Sequence, residues 1–368
     1  MDVKPREPLP LDARTLPARY YIDPDHFLRE RERFYAGKWV YVGRDDEIPN
    51  PGDSVLREVV EESLIIVRGD DHEVRAFYNV CRHRGTRLLT EPESCVGKRI
   101  QCPYHAWTFD LQGKLVGAPH MEEGPRFRKE DYPLKSVALG RWDGHLFVHL
   151  GDNPEPLEAQ LGDLIERFAP WGMGNLRRAS RIVYDVAANW KLIHQNFSEC
   201  LHCPVIHPAL QQLSHYLSGE NLPATESYLG GLMDLRDGIE TLSMGGKSTR
   251  AKLPGLAEAD RKRVYFYAIL PNLLLSLHPD YMITHRLTPL ACDRTEIVCD
   301  FHVHPSELAR PDFDLADVLE FWDLTNRQDW HVSELTQLGL KSRSFSPGPY
   351  SDREDLLYGF DRIIKGAG

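Results

Sequence analysis

Short apolar runs punctuated by Gly and Pro fill the chain from Trp39 to His149. Runs of this length between turn formers predict strands: Trp39–Val42, Leu64–Val67, Arg75–Val80, Arg99–Cys102, Trp107–Phe109 and a last one over Arg141–His149, with Asp45–Gly52 as a turn-rich loop. Ahead of them, Asp23-Pro24-Asp25 supplies a helix start, and Phe27, Glu30, Phe34 and Tyr35 continue a helical period. Gly151-Asp-Asn-Pro-Glu-Pro156 reads as a linker. Beyond it, Leu157–Phe168 predicts a helix, Arg181–Val186 a strand, and Leu192–Cys203 a helical stretch entered through Asn189-Trp190-Lys191. Residues 210–252 are rich in Gly and Ser and predict irregular, mobile chain. A strand meander follows over Val264–Leu270, Leu273–Leu277, Tyr281–Leu287 and Glu296–His304. Pro311–Leu340 predicts one long amphipathic helix, apolar at Phe313, Val318, Phe321, Trp322, Leu335 and Leu338. An α+β fold, with an antiparallel sheet wrapped around that helix, buries both apolar faces.

Composition narrows the class without naming a function. At 368 residues there is room for about two domains and a large core. A formal net charge of −11 argues against a nucleic-acid partner; it suits a basic protein partner, a cationic substrate or simple solubility. Residues 1–10 hold charges and prolines but no apolar core, so no signal peptide is expected. No stretch approaches the ~20 apolar residues of a membrane span, and no membrane partner is expected. Seven cysteines without a secretory signal argue against a disulfide framework and for a cytoplasmic location. Cys95, Cys200, Cys203, Cys292 and Cys299 are expected to be reduced core thiols.

The chemistry concentrates in two stretches. The first holds Cys81-x-His83 and Cys102-x-x-His105, separated by residues 84–101. Two thiolates and two imidazoles can hold zinc or a [2Fe-2S] cluster with both histidines on one iron. Structural zinc sites more often pair Cys with Cys and His with His, whereas each pair here is mixed. Gly85 can turn the first loop, Pro103 stiffens the second, and strand-like runs flank both. Cys81-x-His83 with Cys102-Pro-Tyr-His105-x-Trp107 resembles the Rieske signature of the Rieske non-haem iron oxygenases. The competing expectation is a zinc-stapled interaction protein; a bare electron carrier would not need the second half of the chain.

The second stretch contains Glu199, His202 and His207. On a perfect helix the two histidines diverge; a helix broken near Pro204 can bring them together. Oxygen-activating iron needs two neutral imidazoles and one carboxylate on one face. Asp323, Asp329 and Glu334 on the long helix are the candidates, and Asp329 sits among the apolar positions Trp322, Leu335 and Leu338. Asn189-Trp-Lys followed by Asn196-Phe-x-Glu199-x-x-His202-x4-His207-Pro is similar to the catalytic motif of the same family. It is nearest to the branch with Glu before the first ligand, which includes glycine betaine, proline betaine and carnitine oxygenases. Gln328-Asp329, Gln337-x-Gly339-x-x-Ser342 and Pro347-Gly-x-Tyr350 share that likeness. Leu201, His194 and Ala106 depart from the common pattern, which has Tyr, an acid and Gly at these places.

The resemblance implies an all-β Rieske domain over residues 38–152 and a helix-grip catalytic domain over 153–368, with residues 1–37 packing on the latter. It makes Cys81, His83, Cys102 and His105 the cluster ligands and His202, His207 and Asp329 the ligands of a mononuclear Fe(II). Asn196 and Glu199 acquire catalytic-site roles, Glu199 as a bridge from His105 of a neighbouring subunit to His202 in a homotrimer. Electrons come from NAD(P)H through a separate reductase, since the chain lacks a Gly-rich dinucleotide fingerprint. The reaction implied is O2-dependent oxidation of a small molecule, with N-demethylation of a betaine-like quaternary ammonium compound favoured over ring hydroxylation of an aromatic one. Tyr228, Tyr265, Tyr267 and Tyr281, with Phe301, are the expected pocket aromatics, able to cage a quaternary ammonium.

Overall fold

The computed structural model describes residues 8–222 and 225–366. The chain forms two compact units, Arg31–Gln160 and residues 8–30 with 161–366. The sequence places the divisions at 37/38 and 152/153 instead. Residues 153–160 stay with the Arg31–Gln160 unit because Gln160 is tied to the chain before β1: Trp39 N donates to Gln160 Oε1 and Gln160 Nε2 donates to Trp39 O, both at 2.9 Å.

The Arg31–Gln160 unit holds β1 (Val40–Arg44), β2 (Asp53–Val59), β3 (Glu62–Arg68), β4 (Val74–Tyr78), β5 (Glu93–Cys95), β6 (Arg99–Gln101), β7 (Thr108–Asp110), β8 (Leu115–Gly117), β9 (Ser136–Trp142) and β10 (His145–His149). Seven of them form one sheet in the order β1-β10-β9-β4-β3-β2-β5, and β6-β7-β8 form a small separate one. Ile65, Val67, Phe77, Ile100, Trp107 and Phe109 pack in a common core with Cys81 and Cys102. The single strand expected over Arg141–His149 is a hairpin instead. Asp143 and Gly144 turn it at φ 41° and 83°, and Asp-Gly is the dipeptide that supports such a two-residue turn.

The second unit holds β11 (Arg177–Val186), β12 (Glu220–Asn221), β13 (Tyr228–Asp234), β14 (Arg263–Ile269), β15 (Leu273–Leu277), β16 (Met282–Ala291) and β17 (Arg294–Val303). They form one curved antiparallel sheet, β11-β17-β16-β15-β14-β13-β12. Strand β13 falls where irregular chain was expected. Gly230-Gly231 at its centre hides it from a propensity reading, yet only Gly fits there: a Cβ on Gly230 would lie 2.4 Å from Phe266 O, and one on Gly231 2.3 Å from Glu220 O. The expected Leu157–Phe168 helix is two short ones, Leu157–Leu161 and Leu164–Phe168, interrupted where Gly162 turns left-handed at φ 53°.

The long helix runs Ala316–Gly339, shorter at its start than expected. It buries Val318, Phe321, Trp322, Asn326, Trp330 and Gln337, whereas Leu335 and Leu338 are exposed. Its Trp322 meets Phe266 of β14 and its Trp330 meets His285 of β16. A shorter helix, Trp190–Phe197, packs beside it and explains the Asn-Trp-Lys motif. Asn189 caps that helix by accepting from Lys191 N, Trp190 is fully buried, and Lys191 Nζ pairs with Glu30 Oε2 at 2.5 Å in the core. Among the described residues no helix is long and apolar enough to cross a membrane.

Candidate metal centres and the active-site cavity

Two loops at the ends of β4 and β6 carry the first donor set, and they close in the same way. Cys81 O accepts from Gly85 N at 3.0 Å, and Cys102 O accepts from Ala106 N at 3.1 Å. Cys81 N donates to Thr86 O and Cys102 N to Trp107 O, each at 2.8 Å. The fourth residue after each cysteine is left-handed, Gly85 at φ 75° and Ala106 at φ 55°. Ala106 therefore carries a strain of about 1 kcal/mol that the Gly common at this place would avoid. The thiols are buried and His83 is exposed, with His105 between these extremes. The two imidazoles stand 4.8 Å apart, and Trp107 stacks on His83 at 4.9 Å. Burial pushes the Cys81 thiol up; the backbone N–H groups of His83 and Arg84 pull the other way, as they would for a thiolate. Two thiols inside, two imidazoles outside and N–H groups directed at sulfur suit a cluster with histidines on its outer iron.

The second donor set joins two segments far apart in sequence. Pro204 does not break the chain. It sits in the first turn of the short Cys203–Ile206 helix, where its missing N–H costs nothing. The bend comes at His207 (φ −119°, ψ 68°), the residue before Pro208. The two rings then lie 5.1 Å apart. Asp329 Oδ1 lies 2.8 Å from His207 Nε2 and 3.3 Å from His202 Nε2. His202 Nδ1–H donates to Glu199 Oε1 at 2.5 Å, and His207 Nδ1–H donates to Gln328 Oε1 at 2.8 Å. Both Nδ1 atoms are thus occupied, and both Nε2 atoms converge on Asp329. The other carboxylates considered are engaged elsewhere, Asp323 with Tyr184 and Arg327, Glu334 with Ala187 N.

Burial works against a charge on His202, but hydrogen bonds to Asp329 and Glu199 outweigh it and push the imidazole up to about 10. Burial likewise raises Asp329, and the two imidazoles more than offset it, holding the carboxyl below its ordinary range. The field that favours a proton here also favours a divalent cation in its place. Cys203 Sγ is also near, 3.8 Å from His202 Nε2. It offers no thiolate, because the structure joins it to Cys200 in a disulfide, with Cα atoms 5.0 Å apart. The reduced thiols expected at Cys200 and Cys203 are corrected accordingly: the Cys-x-x-Cys spacing brings them within bonding reach. Cys95 is exposed and Cys292 only partly covered, which leaves Cys299 as the buried free thiol of the five.

A cavity of about 120 Å³ opens on His202, His207 and Asp329, a size that takes one small organic molecule. Its aromatic lining is Phe197, Tyr216, Phe266, Trp322 and Trp330, and the Gly230-Gly231 backbone forms part of its wall. The four expected tyrosines do not line it. Tyr265 and Tyr267 alternate with Phe266 along β14, so they face the other side of the sheet and pack on Phe168. Tyr281 Oη donates to Leu242 O and accepts from Trp322 Nε1. Tyr228 Oη donates to Asp163, and Phe301 is fully buried. Asn196 and Glu199 do line the cavity, and with His202 they also border a second cavity beside Gln195, Tyr350 and Glu354. His194, where the pattern has an acid, is buried; burial lowers it to about 4, so it is neutral and donates to Pro271 O.

Comparison with known proteins agrees with this geometry. The family model of the Rieske [2Fe-2S] domain matches residues 38–137, and that of the ring hydroxylating alpha subunit (catalytic domain) matches residues 173–366. The glycine betaine monooxygenase oxygenase subunit of Pseudomonas aeruginosa is 30% identical over 365 residues, covering 92% of this chain and 85% of the relative. The carnitine monooxygenase oxygenase subunit of Escherichia coli is 39% identical over 202 residues, 54% of each chain. The structure of the quaternary ammonium Rieske monooxygenase CntA in complex with L-carnitine superposes with a TM-score of 0.78 at 25% identity, covering 97% of both chains. The chain belongs to the Rieske non-haem iron oxygenases, enzymes that combine a [2Fe-2S] domain with a mononuclear-iron catalytic domain.

Proposed function

We propose that the protein is the oxygenase component of a Rieske system that uses O2 and reductase-supplied electrons to oxidise a betaine-like quaternary ammonium compound at an N-methyl group. One observation carries this reading: the cavity that ends at His202, His207 and Asp329 is walled by Phe266, Trp322 and Trp330. Faces of this kind hold an alkylammonium by cation–π attraction, about 0.5–2 kcal/mol each. The likeness to oxygenase subunits named for glycine betaine and carnitine supports the same substrate class.

Cys81, His83, Cys102 and His105 would hold the cluster; His202, His207 and Asp329 would hold the iron, Glu199 and Gln328 fixing the histidine tautomers. The bound groups supply stepwise electron delivery and O2 activation. In the overall balance the N-methyl ammonium, dioxygen, two protons and two electrons give the N-hydroxymethyl ammonium and water. The C–N bond of that carbinol then breaks, releasing the tertiary amine, formaldehyde and a proton. The residues of this chain orient the methyl group and keep bulk water from the reacting carbon. In a homotrimer, His105 of a neighbouring copy would reach Glu199 from the side of the second cavity, and electrons would pass by Glu199 to His202.

The test is turnover with a Rieske reductase and NADH on glycine betaine, carnitine, choline and an aromatic acid. Formaldehyde from an ammonium substrate is expected. A diol or phenol from the aromatic acid, with no ammonium turnover, would overturn the reading. So would purified protein containing zinc and no acid-labile sulfide.

A further inference from the structure

We infer that Arg353 binds a carboxylate on the substrate and so makes the site select zwitterions over simple quaternary ammonium cations. The inference rests on the reading above for the ammonium end of the ligand. Arg353 is the one Lys or Arg among the described residues lining the active-site cavity. It lies just before the Asp355–Lys365 helix, whose Leu356 lines the same wall.

Several buried or half-buried guanidinium groups of this unit are claimed by acids, and that of Arg236 by the Gln211 carbonyl. Arg181 pairs with Asp300, Arg250 with Asp280 and Asp317, and Arg263 with Asp234. The Arg353 guanidinium has no ion pair or hydrogen bond among the described residues; only its backbone N–H is used, donating to Ser351 Oγ. The acids beside it in sequence are engaged elsewhere. Asp352 Oδ1 accepts from Leu9 N, Glu354 Oε2 from Ser351 N, and Asp355 Oδ1 from Asn221 Nδ2.

Holding a cation partly out of water without a counter-charge is costly. The arrangement makes sense if the ligand brings the anion. A guanidinium presents paired N–H donors that match the two oxygens of a carboxylate. The cavity then offers an aromatic wall for the ammonium end and one cation for the acid end. A ligand held at both ends is also held in orientation, which a cation–π wall alone does not provide.

The experiment compares glycine betaine with choline, which has the same ammonium and no carboxylate. The reconstituted enzyme is assayed as wild type, Arg353→Gln and Arg353→Lys, with kcat and KM resolved for each substrate. Iron content and cluster absorption serve as the check on folding. Arg353→Gln should raise KM for glycine betaine and lower the betaine-to-choline ratio of kcat/KM about 10- to 100-fold, the loss expected for a charge-assisted pair. Arg353→Lys should recover part of it. A purely structural role would depress both substrates together and leave the ratio in place. That result, or an unchanged KM for glycine betaine, overturns the inference while the proposed function stands. Wild-type enzyme that oxidises neither compound nor carnitine sinks both.

Discussion

Gln328→Leu offers the sharpest test of the proposed iron site, because it alters a residue that touches a ligand and not the metal. His207 is 2% exposed, and its Nδ1–H donates to Gln328 Oε1 at 2.8 Å. Leu fills nearly the same space but accepts nothing. Two outcomes are open to the imidazole. It can keep its proton on Nδ1, leaving a buried donor unsatisfied at a cost of about 1–3 kcal/mol, or roughly 5- to 150-fold in an equilibrium. Or it can move the proton to Nε2, which removes the lone pair that a metal needs. Either way iron should bind about 10- to 100-fold more weakly. Gln328→Glu keeps the acceptor and adds charge, so it should bind at least as tightly as wild type. The assay is iron retention against a graded chelator series. Cluster absorption is the internal control, since its proposed ligands lie in the other compact unit. Asp329→Ala, which deletes a proposed ligand outright, sets the floor. Wild-type retention in Gln328→Leu, with unchanged melting, would refute the tautomer argument.

Three further outcomes follow from the same geometry. Glu199→Gln keeps an acceptor for His202 but removes the charge; both metal centres should persist while turnover falls at least about 10-fold, and full activity would exclude the bridging role. Because the two carboxylates hold His202 protonated up to about pH 10, while a metal needs it neutral, ferrous ion added to stripped protein should release close to one proton from this ring at neutral pH and none above that pKa; calorimetry in buffers of different ionisation enthalpy would show it, and buffer-independent heats would contradict it. Lys191→Met leaves Glu30 with His26 alone in a buried setting and should cost about 3–5 kcal/mol of stability, much of it recovered with Glu30→Leu in the same chain; a melting temperature close to wild type in the single variant would show the pair to be dispensable.

What could be read from sequence was local. Cys81/His83 and Cys102/His105 each lie within one short segment, so spacing marks them as donors; His202/His207 also share one segment, but their spacing is weak evidence until Glu199 and the upstream signature are read with it. Asp329 is different, because its neighbours in space are not its neighbours in sequence. Leu335 and Leu338, invoked to turn it inward, are 53% and 64% exposed. The inward face runs through Trp322, Asn326, Trp330, Ser333 and Gln337, a true helical period whose members are largely polar. A reading that looks for apolar stripes passes over such a face. The tyrosines failed for a simpler reason. Alternation along β14 puts Phe266 on one side and Tyr265 and Tyr267 on the other, and sequence does not say which side holds the cavity. Strand β13 was missed because the glycines that its neighbours' backbones require are the residues that argue against a strand.

Those inward polar residues also show how the site is held. His207 and Asp329 come from segments with no short connection, yet a metal site tolerates only tenths of an ångström of error. Apolar packing fixes distance between helices but leaves register free to slip. Hydrogen bonds do not. Gln337 Oε1 accepts from Asn189 N at 2.9 Å, tying the start of the Trp190–Phe197 helix to the Ala316–Gly339 helix. Asn189 Nδ2 donates to Cys292 O at 2.7 Å and to Tyr21 O, which also accepts from Gln337 Nε2. Most of these bonds are buried, that to Cys292 O being only partly covered, so slipping the long helix by one residue would orphan several groups at about 1–3 kcal/mol apiece. The Asn-Trp-Lys and Gln337 motifs, which touch no metal, therefore set the position of Gln328 and Asp329 along their helix. In this chain the accuracy of the proposed iron site is built some distance from the iron.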